Sequence, residues 1–113
     1  MADHITINEV EGNWSLRAGG AVIGEATHAL ELIEGDYDPV MYFPRDAIAM
    51  AFLEPTQKST HCPHKGDASY FDVQTKSETI RDAAWSYEDP KDGMDRIKGH
   101  LAFDPEQITI EQL

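Results

Sequence analysis

Eight glycines and six prolines are scattered along this chain of 113 residues and cut it into short segments. Such dense punctuation argues for many strands and few helices. His4–Val10 alternates, with Ile5 and Ile7 on one face, as an opening strand does. Trp14-Ser15-Leu16-Arg17 runs into Ala18-Gly19-Gly20-Ala21, and Val22-Ile23-Gly24 returns; the Gly-Gly pair supplies the positive φ angles of a tight hairpin. Ala29–Ile33 alternates through Leu30 and Leu32 until Glu34-Gly35-Asp36-Tyr37-Asp38-Pro39 breaks the pattern. Val40–Phe43 reads as a strand ended by Pro44, and Pro44–Ala47 as one helical turn, where proline's missing N–H costs nothing. From Ile48 to Leu53 helical and extended readings compete; the extended one, with Ile48, Met50 and Phe52 on one face, is preferred. Tyr70–Thr75 and Thr79–Trp85 form a hairpin turning over Lys76-Ser77-Glu78. Only Lys91–Lys98 reads as a helix, with Met94 and Ile97 on one side and Gly99 as its stop. Leu101–Phe103 and Ile108–Ile110 complete the sheet. The expectation is a mainly β domain or small open barrel of about nine short strands with one short helix.

At this length the chain, 1–113, is expected to be one domain. Apolar residues make up 41% of it, with Trp14 and Trp85 well separated, so a compact interior can form and disorder is excluded. No apolar run approaches the roughly 20 residues that cross a bilayer. Met1-Ala2-Asp3-His4 lacks the features of a secretory signal. One cysteine cannot form an internal disulfide, and a free thiol fits a reducing, cytoplasmic setting. The formal charge of −12 repels phosphate backbones and anionic lipid, so neither nucleic acid nor membrane is the expected partner; the acidity itself reads as a solubility feature.

Against this acidity, Thr60-His61-Cys62-Pro63-His64-Lys65-Gly66-Asp67-Ala68-Ser69-Tyr70 gathers the only cysteine, two of the five histidines and a lysine. A sulfur between imidazoles and an ammonium is biased toward the thiolate. Pro63 pushes Cys62 toward extended geometry, and Gly66 allows a sharp turn that brings Lys65 and Asp67 back toward it. In an enzymatic reading Cys62 is the nucleophile, His61 or His64 the base, and Lys65 or backbone N–H groups hold the developing charge; the plain alternative is a buried thiol that only packs. His61, Cys62 and His64 are metal-compatible donors, which His28 and His100 could in principle complete, but the second cysteine pair of a structural zinc site is missing. No metal and no cofactor is therefore expected. Lys65-Gly66-Asp67 is not a phosphate loop, which needs a longer glycine-rich run ahead of a helix.

Trp85 and Tyr87 lie two apart on a strand and share a face, which Tyr70 or Tyr42 joins from neighbouring strands. This can be core packing, or the wall of a ligand pocket with a polar floor of Arg45, Lys65 and Asp67. Arg45 beside Asp46 is by default a half-exposed ion pair of small weight.

Tyr42-Phe43-Pro44-Arg45-Asp46, the block Thr60–Tyr70, Asp82-Ala83-Ala84-Trp85-Ser86-Tyr87 and Leu101-Ala102-Phe103 resemble, in that order, the domain family of unknown function numbered 427, also labelled nucleotidyltransferase-like. The resemblance spans roughly 22–103. Many members read Cys-Pro-Tyr-Lys-Gly where this chain has His64. The resemblance implies a small, strongly bent antiparallel β architecture of the Mss4-like or β-tent type, shared with methionine sulfoxide reductase B and the ligand-binding domain of cereblon. Several relatives of that fold hold zinc between two Cys-x-x-Cys pairs, which are absent here, so the zinc is not carried over. The transferase label finds no metal-binding carboxylate pair beside a Gly-Ser start.

The leading functional expectation is a pocket for a small polar or anionic molecule, lined by Tyr42, Arg45, Lys65, Asp67, Tyr70, Trp85 and Tyr87, with His61 and Cys62 beside it. One alternative is a thiol-dependent enzyme using Cys62 with His61 in redox or acyl-transfer chemistry. The other is a module whose open β edges pair with another chain or a second copy.

Overall fold

The structure, a computed structural model, describes residues 4–113. Met1, Ala2 and Asp3, which open the segment read as lacking a secretory signal, lie outside the described residues. β1 (Ile5–Ala18) and β2 (Ala21–Glu34) form one long antiparallel hairpin of 14-residue arms. Ala18 pairs with Ala21, and Gly19 turns the chain at φ 59°, a left-handed conformation that costs glycine nothing. The sequence pattern splits each arm in two. In the fold each is continuous, and register shifts between Glu11 and Trp14 and between Leu16 and Arg17 absorb the residues that break the alternation.

β3 (Val40–Tyr42) adds to β2 and β8 (Thr109–Gln112) to β1, giving a four-stranded sheet in the order β3-β2-β1-β8. β4 (Leu53–Cys62), β5 (Gly66–Gln74), β6 (Thr79–Ser86) and β7 (Ala102–Phe103) follow one another in a second four-stranded sheet. The β5–β6 hairpin closes over 75–78, where the Thr75 N–H donates to the Glu78 carbonyl at 2.9 Å. Every pairing is antiparallel. The molecule is mainly β, as expected, with eight strands among the described residues.

Two expected elements differ. Ile48–Leu53 is not a strand: only Ile48 bridges Gly24, the Ala49 N–H donates to the Ile23 carbonyl at 2.8 Å, and Met50–Phe52 then curls into a single 3-10 turn. The curl carries the chain from the first sheet to the start of β4 in the second. Arg45–Ala47 forms the short turn expected after Pro44. Lys91–Lys98 is not a full helix but one 3-10 turn, Asp95–Ile97, because Gly93 at φ 89° interrupts the segment. Met94 and Ile97 are nevertheless buried together, and Gly99 at φ 71° ends the turn.

The sheets meet where Phe43, just after β3, and Leu101, just before β7, exchange backbone hydrogen bonds of 2.8 and 2.9 Å. Strand order thus passes from one sheet into the other through a bend at this bridge, and β4 and β8 remain edges, so no barrel closes among the described residues. Apolar side chains collect on both faces of this bent layer. One core holds Trp14, Leu16, Ile23, Phe43, Phe71 and Phe103. The other holds Leu30, Leu32, Tyr42, Tyr87, Met94 and Ala102, with Cys62, Tyr70 and Trp85 packed against it. Consecutive residues split between them: Tyr42 and Phe43, Tyr70 and Phe71, Ala84 and Trp85, Ala102 and Phe103, as opposite pleats of a strand require.

Phe43 is fully buried at the junction. Phe43→Ala is expected to cost about 3–5 kcal/mol, measured as a lower urea midpoint, whereas Val22→Ala on the exposed surface stays within about 0.5 kcal/mol. Equal midpoints for the two variants would contradict this account of the junction.

Candidate functional site

On the second core's side of the bend, a cavity of about 210 Å³ opens between the sheets. Tyr42 from β3, Tyr70 from β5, and Trp85 and Tyr87 at the end of β6 form its aromatic wall, and Lys65 from the β4–β5 loop reaches into it. Sequence reasoning named these five residues, and the fold brings them together. Their shared face follows from the pleat: Tyr70 pairs with Trp85 across β5 and β6, and their ring centroids are 6.2 Å apart. The Trp85 indole N–H donates to the Tyr42 hydroxyl at 3.4 Å, and the hydroxyls of Tyr70 and Thr60 lie 3.0 Å apart.

Lys65 is 9% exposed. Gly66 at φ 110° lets the chain turn directly after it, and the Lys91 N–H donates to the Lys65 carbonyl at 3.0 Å, so the backbone of this residue is pinned. Its ammonium donates to Glu34 Oε1 at 2.9 Å and lies 5.9 Å from the centre of the Tyr87 ring. Burial works against the charged amine, but the Glu34 carboxylate and the Cys62 sulfur outweigh it and hold its pKa above the ordinary value. The hydrogen bond from Lys65 in turn holds the Glu34 carboxyl below the usual range. Burial raises the phenols of both Tyr42 and Tyr87. At neutral pH the cavity thus holds a charged, mutually satisfied ion pair among neutral aromatics.

Glu34, Tyr37 and Asp38 also line the cavity, with Leu32 and Val40. Sequence reasoning treated Glu34–Pro39 only as a strand breaker. Its one signal was Tyr37, an aromatic in an acidic, glycine- and proline-bounded turn, which the fold leaves 77% exposed at the cavity's side.

Four predicted site residues, Arg45, Asp67, His61 and Cys62, do not line the cavity. Arg45 does not reach the cavity: its guanidinium forks onto Glu88 with two bonds of 3.1 Å, donates to the Gly99 carbonyl at 3.0 Å and lies over Phe71, which belongs to the opposite core. Nor does it pair with Asp46 by default; Glu88 is its partner. Asp67 points outward from β5 and meets His61 Nδ1 at 2.7 Å across the β4–β5 pair. His61 is therefore on the outer face, with its side chain 62% exposed, while Cys62, one pleat on, packs inward against the second core. The predicted Cys62–His61 pair is not assembled, and His64 instead stacks edge-on against His4, with ring centroids 4.7 Å apart.

Cys62 is half-buried, packed against the second core and not part of the cavity lining. Burial raises its pKa, yet the backbone N–H groups of His64 and Lys65 and the Lys65 ammonium more than compensate, leaving the thiol below its ordinary value.

The model of a domain of unknown function, DUF427 (NTP_transf_9), matches residues 6–112. The chain belongs to that family. No curated protein matches it. Within this DUF427 domain the match takes in both sheets and every residue of the cavity wall.

The environment of Cys62 has a measurable consequence. Because thiolate is the reacting form, a lowered pKa moves the iodoacetamide rate profile to lower pH. In EDTA-containing buffer its midpoint is expected below that of a free cysteine thiol measured alongside, and Lys65→Met moves it upward. A midpoint at or above the free-thiol value, or labelling only after unfolding, contradicts this description of the loop.

Proposed function

We propose that this domain binds a small polar molecule in the aromatic cavity between the sheets. The observation that carries the reading is the Lys65–Glu34 pair, buried on a wall otherwise made of Tyr42, Tyr70, Trp85 and Tyr87. A few convergent polar groups within an apolar, aromatic recess are the usual composition of a small-molecule site. The volume, about 210 Å³, suits a compact metabolite rather than a drug-sized ligand. Between polar and anionic ligands the charges favour the former. Lys65 is already neutralised by Glu34, and Asp38 adds a second carboxylate to the wall. An anion has to displace Glu34, whereas a neutral or zwitterionic molecule hydrogen-bonds to the pair and lays its apolar or cationic part on the Trp85 and Tyr70 rings.

A second reading, thiol chemistry at Cys62, draws on the N–H groups and ammonium around its sulfur. Of the two bases it calls on, His61 pairs with Asp67 on the other face and His64 packs edge-on against His4. The β-edge reading has less support. The free edge of β4 carries Pro55, Lys58 and a register break between Pro55 and Ser59, devices that discourage pairing with another strand. Arg96 donates to the Ile7 carbonyl at 2.8 Å and occupies part of the β1 edge.

A thermal-shift screen of small polar metabolites tests the leading reading. A ligand present at 100 times its Kd is expected to stabilise the protein by about 2.7 kcal/mol, and Trp85→Ala and Lys65→Met are expected to abolish that shift. The reading fails if no compound raises the melting temperature, or if the shift survives both substitutions.

A further inference from the structure

Beside the cavity, three metal-compatible side chains converge from three separate segments: His4 ahead of β1, Glu34 at the end of β2 and His64 in the β4–β5 loop. One donor atom from each lies within 4.8 Å of the other two. We propose that His4, Glu34 and His64 bind a divalent transition-metal ion, zinc by donor type, at the rim of the aromatic cavity. Two imidazoles and one carboxylate are the donor set of an open zinc site, with a fourth position left for water or a ligand.

The carboxylate is already divided between two roles. Glu34 Oε1 accepts from Lys65 at 2.9 Å, while Oε2 faces His4 Nε2 at 3.5 Å. A metal held by Oε2 and the two imidazoles leaves the Lys65 bond intact, and that bond becomes the outer partner that orients the ligand. Bonds of about 2.0–2.1 Å place the donors of a tetrahedral ion about 3.3 Å apart, so donors now within 4.8 Å of one another have to close by up to about 1.5 Å. Both histidines are exposed, and their rings already pack edge-on at 4.7 Å beside the carboxylate. The net charge of −12 draws cations to the surface. His4 lies just before the residues matched by the family model, and Glu34 and His64 lie within them. The proposal does not depend on the ligand reading, but it adds to it: Glu34 lies on the cavity wall, so an open coordination position is within reach of a bound molecule.

Zinc chloride titrated calorimetrically into EDTA-treated, dialysed protein at pH 7.5 tests the site. One equivalent is expected to bind in the low micromolar range or tighter. His4→Ala and His64→Ala are each expected to weaken it by more than the ~10-fold typical of losing a ligand's outer partner. His28→Ala, His61→Ala and His100→Ala leave it unchanged. Both key histidines are exposed, so unchanged melting temperatures of the metal-free variants separate loss of the site from loss of the fold. Cobalt(II) in place of zinc is expected to show the intense visible bands of four-coordination. Millimolar affinity, or tight binding that survives His4→Ala and His64→Ala together, overturns the proposal and leaves only a surface imidazole–carboxylate pair. Because Trp85→Ala removes the metabolite shift without touching these donors, failure of the metal site and failure of the ligand reading are distinguishable.

Discussion

Two backbone hydrogen bonds between Phe43 and Leu101 hold the architecture together. They join the edge of one four-stranded sheet to the edge of the other and set the bend between them. A bend of this kind gives the layer two apolar faces. Phe43 and Leu101 are buried on one, while Tyr42 and Ala102, their chain neighbours, are buried on the other. Each strand at the junction therefore contributes to two cores with adjacent residues.

The cavity is a consequence of the same bend. An ammonium among aromatic rings is costly unless it keeps a hydrogen-bonded counter-charge. Glu34 supplies it from the end of β2, across the gap between the sheets. Gly66 and the Lys91 N–H fix the loop from which Lys65 projects. Among the described residues no buried side-chain nitrogen or oxygen lacks a partner. The ion pair thus ties the sheets together on the side away from Phe43 and places a polar feature in a recess that is otherwise apolar.

Local chemistry made much of this legible. The Gly19-Gly20 turn, the β5–β6 hairpin and the stop at Gly99 follow from backbone freedom and short-range pattern, and all three occur. The alternation that groups Trp85 with Tyr87, and the departure from the acidic background that marks Lys65, point to residues that share the cavity. Other features depend on contacts distant in sequence. Ile48, Met50 and Phe52 have a strand's spacing, yet only Ile48 finds a strand partner. Gly93 cuts short what the spacing of Met94 and Ile97 suggested as a helix. Arg45 has Asp46 as a neighbour, but Glu88, 43 positions away, offers both carboxylate oxygens.

From the sequence alone came the class of fold, the turns that punctuate it, the family resemblance and the segment where sulfur, imidazole and ammonium are concentrated, because each depends on residues close together in the chain. Tertiary structure decided which of these face one another. The pleat of β4 sends His61 outward to Asp67 and Cys62 inward, and the bend brings Glu34 to Lys65 and His4 to His64. The physical reason is that a side chain's partner is set by strand parity and by the closure of sheet on sheet, and both are properties of the assembled backbone rather than of any short stretch of residues.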